Sequence, residues 1–164
     1  MGDIRPVIEL GDGRLRSHAQ PVHHVEDLHL QRVIDDLLTT AAAKNGVGIA
    51  APQVAVGLQV FIVASRPNPR YPQAPIMEPT AMINPHILSH SDELVRGWEG
   101  CLSVPGRRGL VSRYREIEVA YQDRYGQFHR QYFQDFVARI VQHEYDHQQG
   151  KVFIDRSEET RDIM

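Results

Sequence analysis

The pentapeptide His143-Glu144-Tyr145-Asp146-His147 is the stretch of this sequence that decides both its fold and its chemistry. Two histidines four residues apart project from the same face of an α-helix, where both imidazoles can bind one metal ion. Glu144 follows the first histidine, in the place of a general base that reaches a water beside the ion. The pentapeptide therefore predicts a helix that carries two metal ligands and a reactive carboxylate.

The residues before the pentapeptide extend this helix toward its N-terminus. Four side chains recur at helical spacing along one stripe, so that the imidazoles continue an apolar face: Phe136, Ile140, His143 and His147. Asp135 is a candidate N-terminal cap, and Gly150 stands where a helix would stop. The apolar run 151–154 then predicts a short strand.

The third ligand of the predicted metal site decides the class of site. Catalytic zinc sites generally have three protein ligands and an open position for water. In metzincin proteases a third histidine follows the pentapeptide, but Phe153 occupies that position here. Glu158 and Glu159 lie too close to His147 for a second helix to bring them back. The ligand is therefore expected upstream, where the candidates are Cys101, His18, His23, His24, His29, His86, His90 and His129.

Cys101 is the only cysteine of the chain, so it cannot form an internal disulfide. A lone cysteine is most often a small buried hydrophobic residue. A metal site that lacks one ligand favours the alternative, in which the thiolate of Cys101 completes the site.

Three motifs give the sequence its resemblance to a known family. Gly46-Val47-Gly48-Ile49-Ala50-Ala51-Pro52-Gln53, Glu99-Gly100-Cys101-Leu102-Ser103 and the histidine pentapeptide resemble, in this order, the signature motifs of peptide deformylases. The resemblance extends from about Leu10 to Asp155. It implies hydrolysis of the N-formyl group of nascent polypeptides that begin with formyl-methionine, with release of formate.

The resemblance also implies roles for individual residues. Cys101, His143 and His147 would bind the metal, and Glu144 would act as acid and base. The side-chain amide of Gln53 and the backbone N–H of Leu102 would stabilise the negative charge that develops on the formyl oxygen. The implied cofactor is one divalent ion, with Fe²⁺ favoured and Zn²⁺, Ni²⁺ or Co²⁺ as alternatives, because geometry and availability select among these ions.

A substrate site beside the metal would need an apolar pocket and backbone that approaches a bound peptide closely. Gly46 and Gly48 permit that approach, and they also suit a helix end after Lys44-Asn45. The pocket and motif residues predicted to bind substrate are Gly46, Val47, Gly48, Trp98, Glu99, Gly100, Phe136 and Ile140. The apolar members of this set suit an ordinary core equally well. Arg108 and Arg113 could pair with Glu99 or Asp146, but arginines in such a segment are more often solvated, so neither is assigned to the site.

Composition and charge restrict the partners. A net charge of −3 over 164 residues predicts no general attraction to nucleic acid or to an anionic membrane. The sequence contains neither a long apolar span nor the core of a signal peptide, and with a single cysteine it suits the reducing cytoplasm. The expected partner is a formylated nascent polypeptide, with the ribosome as a further candidate.

Two other functions remain open at this point. A metallopeptidase could use the same His143-Glu144-His147 unit, but it would cleave internal peptide bonds and would not need Cys101. A non-catalytic relative could bind only metal or nascent chains, although it would be expected to lack one of Gln53, Cys101 and Glu144, and all three are present.

Periodicity along the rest of the chain predicts the fold class. A helical pattern runs from Leu30 to Ala41 and ends near Gly46. Strands are predicted at 58–64, 81–84 and 116–121, and a turn at 123–126 leads into a hairpin partner at 127–133. The proline-rich stretch 65–79 predicts a surface loop. We therefore expect one α+β domain over residues 1–164, with mostly antiparallel strands packed around a central helix that carries the HExxH motif.

Overall fold

The computed structural model describes residues 2–163. Within them, eight strands form two antiparallel sheets, and three α-helices pack against these sheets. The helices are α1 (Leu28–Ala43), α2 (Asp135–Gln148) and α3 (Phe153–Arg156). The strands are β1 (Gly48–Ala50), β2 (Val60–Val63), β3 (Thr80–His90), β4 (Leu94–Cys101), β5 (Val104–Tyr114), β6 (Glu116–Gln122), β7 (Phe128–Gln134) and β8 (Glu159–Asp162). Among the described residues, no helix has the length and apolar character needed to cross a membrane.

The larger sheet, in the order β1-β2-β3-β6-β7, is covered by a helix on each face. Val60 and Ile62 of β2 pack in one apolar cluster with α1, whereas Phe61 and Val63 pack in another with α2. Successive side chains of a strand point to opposite faces, so a strand covered on both faces is apolar at every position. This explains why β2 is a continuous run of buried apolar residues.

Helix α1 confirms the pattern expected from Leu30 to Ala41. Its buried side chains form the stripe that covers the larger sheet: Leu30, Val33, Ile34, Leu37 and Ala41. The carboxylate of Asp27 caps its N-terminus by accepting a hydrogen bond from the N–H of His29 at 3.3 Å. Just beyond its C-terminus, Asn45 has a φ of 55°, a left-handed conformation common after helices.

Helix α2 connects the two sheets. Its apolar residues Ala138, Ile140 and Val141 pack on the larger sheet. Gln142 reaches the smaller sheet, β4-β5-β8, where its Nε2 donates to the carbonyl of Tyr114 at 2.9 Å and its Oε1 accepts from the Tyr114 N–H at 3.0 Å. The expected α+β fold, with antiparallel strands around a central helix that carries the histidine pentapeptide, is confirmed.

Two local predictions near α2 and α3 are wrong. Residues 151–154 do not form a strand, because helix α3 begins at Phe153 and the carboxylate of Asp155 accepts a hydrogen bond from the Val152 N–H at 2.9 Å. Asp135 does not cap α2 with its side chain, which instead accepts a hydrogen bond from Arg115 Nε at 3.2 Å. Asp135 has a φ of 54°, in the left-handed region where glycine would be less strained.

The proline-rich loop at 65–79 contains no helix or strand, as expected. Ser65 Oγ donates to the carbonyl of Pro75 at 2.6 Å and so closes the base of the loop. The hydroxyl of Tyr71 accepts a hydrogen bond from the N–H of Gly100 at 3.0 Å. The loop is therefore fixed beside the end of β4, where Cys101 lies.

Candidate active site

Cys101, His143 and His147 lie together although more than 40 residues separate the cysteine from the histidines. Cys101 is the last residue of β4, while both histidines are on α2. Cys101 Sγ lies 3.5 Å from His147 Nε2, and one ligand atom from each of the three residues falls within 4.8 Å of the others. Ligand atoms of a tetrahedral site with bonds of about 2.0–2.3 Å lie about 3.5 Å apart. This donor set therefore fits one cation after only a small contraction.

The surroundings of the two histidines shift their pKa values in opposite directions. Burial lowers the pKa of His147 well below its ordinary value, which keeps the ring neutral and able to act as a ligand. Burial also lowers the pKa of His143, but hydrogen bonds to Cys101 and Glu99 outweigh this effect and raise it well above its ordinary value. The surroundings of His143 therefore favour a positive charge, and a cation bound by this ring would take the place of its proton.

Glu144 places a carboxylate beside this cluster. Its side chain is buried, and its Oε1 has no hydrogen-bond partner among the described residues. Burial raises the pKa of Glu144 to about 7. A Cβ added to Gly48 would lie 2.7 Å from Glu144 Oε2, so the close approach of β1 to this carboxylate requires glycine. Glu144 is thus held with one free acceptor oxygen next to the cluster of Cys101, His143 and His147.

Gln53 points its amide at the same cluster from the short 3₁₀ turn Ala51–Val54. Its Oε1 accepts a hydrogen bond from the N–H of Ala50 at 2.9 Å, which fixes the orientation of the amide. Its Nε2 donates to Ser103 Oγ at 3.1 Å and lies 3.4 Å from Cys101 Sγ. The donor end of Gln53 therefore faces the Cys101 side of the cluster.

A cavity beside the cluster brings together nearly all residues that the sequence predicts for the site. Its wall includes Gly46, Val47, Gly48, Gln53, Glu99, Gly100, Cys101, Leu102, Phe136, Ile140, His143 and Glu144. Trp98 lies outside this wall and lines the adjoining groove, where Arg161 stacks 4.0 Å above its ring. Sequence reasoning missed Arg70, Tyr71 and Arg139, which also line the cavity. Their positions depend on the loop and on helix packing, which leave no motif in the sequence.

Glu99 is a structural partner of His143 and not only a wall residue. Its Oε1 lies 2.9 Å from His143 Nδ1, which leaves the other ring nitrogen free for a metal. Arg113 donates to both carboxylate oxygens of Glu99 at 2.9 Å, and Arg139 Nη1 donates to Oε2 at 2.6 Å. Such partners fix the ring and the tautomer of a metal-binding histidine. Arg113, which the sequence did not assign to the site, therefore holds the carboxylate that contacts His143.

An α+β domain whose central helix offers two histidines and a carboxylate to a cavity that also contains a cysteine is typical of a metal-dependent hydrolase. Comparison with known proteins defines the family. The family model described as polypeptide deformylase matches residues 4–162, and the chain belongs to this family.

Relatives support the assignment over nearly the whole chain. The chain is 61% identical over 156 residues to peptide deformylase 2 of Nostoc sp.. The match covers 95% of this chain and 87% of that relative. A Met-Ala-Ser-bound crystal structure of a class I type b peptide deformylase from Acinetobacter baumannii is 46% identical, with a TM-score of 0.92, and the match covers 95% of this chain and 99% of that one. A peptide deformylase from Thermotoga maritima is 33% identical, with a TM-score of 0.85, and the match covers 95% of this chain and 99% of that one. The protein is a hydrolase that removes the N-formyl group from nascent polypeptides.

Proposed function

We propose that Cys101, His143 and His147 hold one divalent cation in this enzyme and that Glu144 moves the proton during deformylation. The observation that supports this most directly is the convergence of the three ligand atoms next to the unpartnered Oε1 of Glu144. When bound, such a cation polarises a carbonyl oxygen and lowers the pKa of water at its open position from 15.7 to about 7.

Glu144 carries the proton in this proposal. Its carboxylate accepts a proton from the attacking water as the water oxygen bonds to the formyl carbon. Glu144 then passes the proton to the amine nitrogen as the C–N bond breaks, which gives formate and a free N-terminus. Burial raises the pKa of Glu144, which strengthens the carboxylate as a base for the first transfer.

Gln53 and Leu102 stabilise the oxygen on which negative charge develops. Nε2 of Gln53 is the side-chain donor, held by its contacts with Ala50 and Ser103. The N–H of Leu102 is the proposed backbone donor, from the two-residue turn that follows Cys101. Donors that are fixed before the reaction favour the transition state because they need no reorganisation.

The methionine side chain of the substrate is proposed to enter the apolar wall of the cavity. Val47, Phe136 and Ile140 line this wall beside the metal cluster. Gly46 and Gly48 let the substrate backbone approach β1, and Glu99 and Gly100 form the opposite edge. Trp98 is proposed to contact residues further along the substrate, because it borders the adjoining groove.

The test of the proposed function is formate release from formyl-Met-Ala-Ser by the purified, metal-loaded enzyme and by a Cys101→Ala variant. We expect release by the wild type and a large loss in the variant, together with loss of bound metal. A metallopeptidase would instead cleave an internal bond of an unformylated peptide and would not require Cys101. Metal binding without release of formate would indicate a non-catalytic relative.

Fe²⁺ is proposed as the physiological ion, in line with the family resemblance. An iron–thiolate centre would be sensitive to oxygen, because oxidation of Cys101 removes a ligand. Metal analysis of anaerobically purified protein, with activity measured after reconstitution with Fe²⁺, Zn²⁺, Ni²⁺ or Co²⁺, tests this choice. Full activity with Zn²⁺ alone would contradict it.

The remaining proposals concern the setting of the reaction. We propose that the chain acts as one catalytic domain in the cytoplasm and meets its substrate as the polypeptide leaves the ribosome. The match of one family model over residues 4–162 supports a single domain. Sedimentation with translating ribosomes tests the contact, and an enzyme that never co-sediments would contradict it.

Replacing Gln53 by leucine removes the side-chain donor and keeps a similar volume. We expect kcat and kcat/KM to fall together, because the lost interaction forms only in the transition state, and the loss should correspond to about 2.7–4 kcal/mol. Steady-state assays of formate release provide the measurement. Ser103→Ala is the comparison variant: it removes the hydroxyl that accepts from Gln53 but keeps the donor itself, so its loss of kcat should be smaller than that of Gln53→Leu. A Gln53→Leu variant with an unchanged kcat would contradict the assigned role.

A further inference from the structure

Arg156, at the end of α3, is the outer member of a series of ion pairs that leads to His143. Its Nε donates to Asp146 Oδ2 at 2.6 Å and its Nη2 donates to Oδ1 at 2.9 Å. Arg113 Nη1 donates to the same Oδ2 of Asp146 at 2.7 Å. Arg113 also donates hydrogen bonds from Nε and Nη2 to the carboxylate of Glu99, and Glu99 contacts His143 Nδ1.

We propose that Arg156 is a positioning residue for the metal centre, acting through Asp146, Arg113 and Glu99 on the ring of His143. The inference rests on the proposed role of His143 as a metal ligand. It extends the site by three ion pairs beyond the contact between Glu99 and His143.

The planar shapes of the guanidinium and carboxylate groups explain how the orientation of one side chain in this series fixes that of the next. Guanidinium and carboxylate groups are planar, and a two-point contact between them fixes the plane of each. Arg156 holds Asp146 by such a two-point contact, and Arg113 holds Glu99 by another. The two units meet at Asp146 Oδ2, to which both arginines donate. Rotation of the Asp146 carboxylate would therefore move Arg113 and, with it, Glu99.

Arg156 is the residue of the series that can be substituted with the least disturbance of the core. The side chains of Arg113, Asp146 and Glu99 are 4%, 6% and 3% exposed, so packing restricts what can replace a lost contact. The side chain of Arg156 is 42% exposed and can be changed without opening the core. Without Arg156, the buried Asp146 loses the two-point contact that sets its plane.

Another arginine–carboxylate pair makes the same kind of two-point contact but has no connection to the cluster of Cys101, His143 and His147. Arg130 donates to Glu118 through Nε at 2.7 Å and through Nη2 at 3.2 Å. The side chain of Glu118 is 6% exposed, which matches that of Asp146. The pair lies on β6 and β7, and Glu118 also contacts Ser89 and Tyr132. Arg130→Gln is therefore a matched control for Arg156→Gln.

The experiment compares the wild type, Arg156→Gln, Arg156→Lys and Arg130→Gln, each loaded with Co²⁺. Metal affinity is measured by competition with a chelator, the geometry of the site by the visible spectrum of the Co²⁺ protein, and stability by the thermal midpoint. We expect Arg156→Gln to lower metal affinity on the order of tenfold and to change the spectrum, as loss of an outer-shell partner does. Arg156→Lys keeps the charge but not the two-point contact, so its affinity should be intermediate.

Arg130→Gln should leave both the affinity and the spectrum unchanged. If Arg156→Gln lowers only the thermal midpoint, as a merely structural contact would, the positioning role is wrong. Equal losses of affinity in Arg156→Gln and Arg130→Gln would also overturn it. A wild-type protein that fails to bind Co²⁺ would show instead that the metal assignment itself is wrong, before any variant is considered.

Discussion

Glu144→Gln should lower kcat for formate release by about 10²–10⁴-fold, the usual contribution of a general acid–base group. Glutamine has nearly the same size as glutamate but cannot accept the proton of the attacking water. Glu144 lines the cavity with its side chain buried and is not among the three clustered ligands. Metal content should therefore remain that of the wild type, and steady-state assays with parallel metal analysis would measure both quantities.

A matched control for this variant is Glu118→Gln, which makes the same change at another buried glutamate. Glu118 lies on β6 and pairs with Arg130, outside the cavity. Its activity should be close to that of the wild type. If Glu144→Gln retains wild-type kcat with full metal content, the proton is carried by another group and the proposed mechanism is wrong.

Glu99→Gln should lower the free energy of unfolding by about 3–5 kcal/mol, because it breaks a buried ion pair by removing one partner. The substitution leaves Arg113 and Arg139 buried without the carboxylate that both contact. It also weakens the contact that orients His143, so metal affinity should fall by about 10–100-fold. Chemical denaturation of the metal-free protein and chelator competition measure the two effects separately.

The pH dependence of this loss gives an independent check. Burial of Glu99 raises its pKa, but hydrogen bonds from Arg113 and His143 outweigh burial and hold the pKa far below the ordinary value of 4.5. Because the folded-state pKa is depressed, the stabilisation by Glu99 is fully present above pH 4.5 and is lost as the pH falls below that value. The stability difference between wild type and Glu99→Gln should therefore shrink by about 1.4 kcal/mol per pH unit in this range.

Glu118→Gln serves again as the control, since its arginine partner is mostly exposed and screened by water. We expect a smaller loss of stability and no change in metal affinity. A Glu99→Gln protein that is as stable as the wild type at pH 7 would show that the buried arginines do not depend on this carboxylate.

The local sequence pattern was sufficient to predict the secondary structure of a segment where one signal, such as apolar spacing or proline content, dominated that segment. Helix α1, the strand at 60–63 and the irregular loop at 65–79 were each predicted from apolar spacing or proline content. The strand predicted at 151–154 failed because a run of four residues fits a strand and a helical turn equally well. The contact of Asp155 with the Val152 N–H, together with packing of Phe153, favours the helix.

The sequence by itself determined the family and predicted the candidate site residues, because its three motifs and the four-residue spacing of His143 and His147 are local properties of the chain. Only the tertiary structure decided which upstream residue meets the histidines and what holds them in place. Cys101 reaches His147 because β4 ends beside α2. The ion pairs from Arg156 to Glu99 join β4, β5, α2 and α3, and contacts between distant segments leave no periodic signal in the sequence.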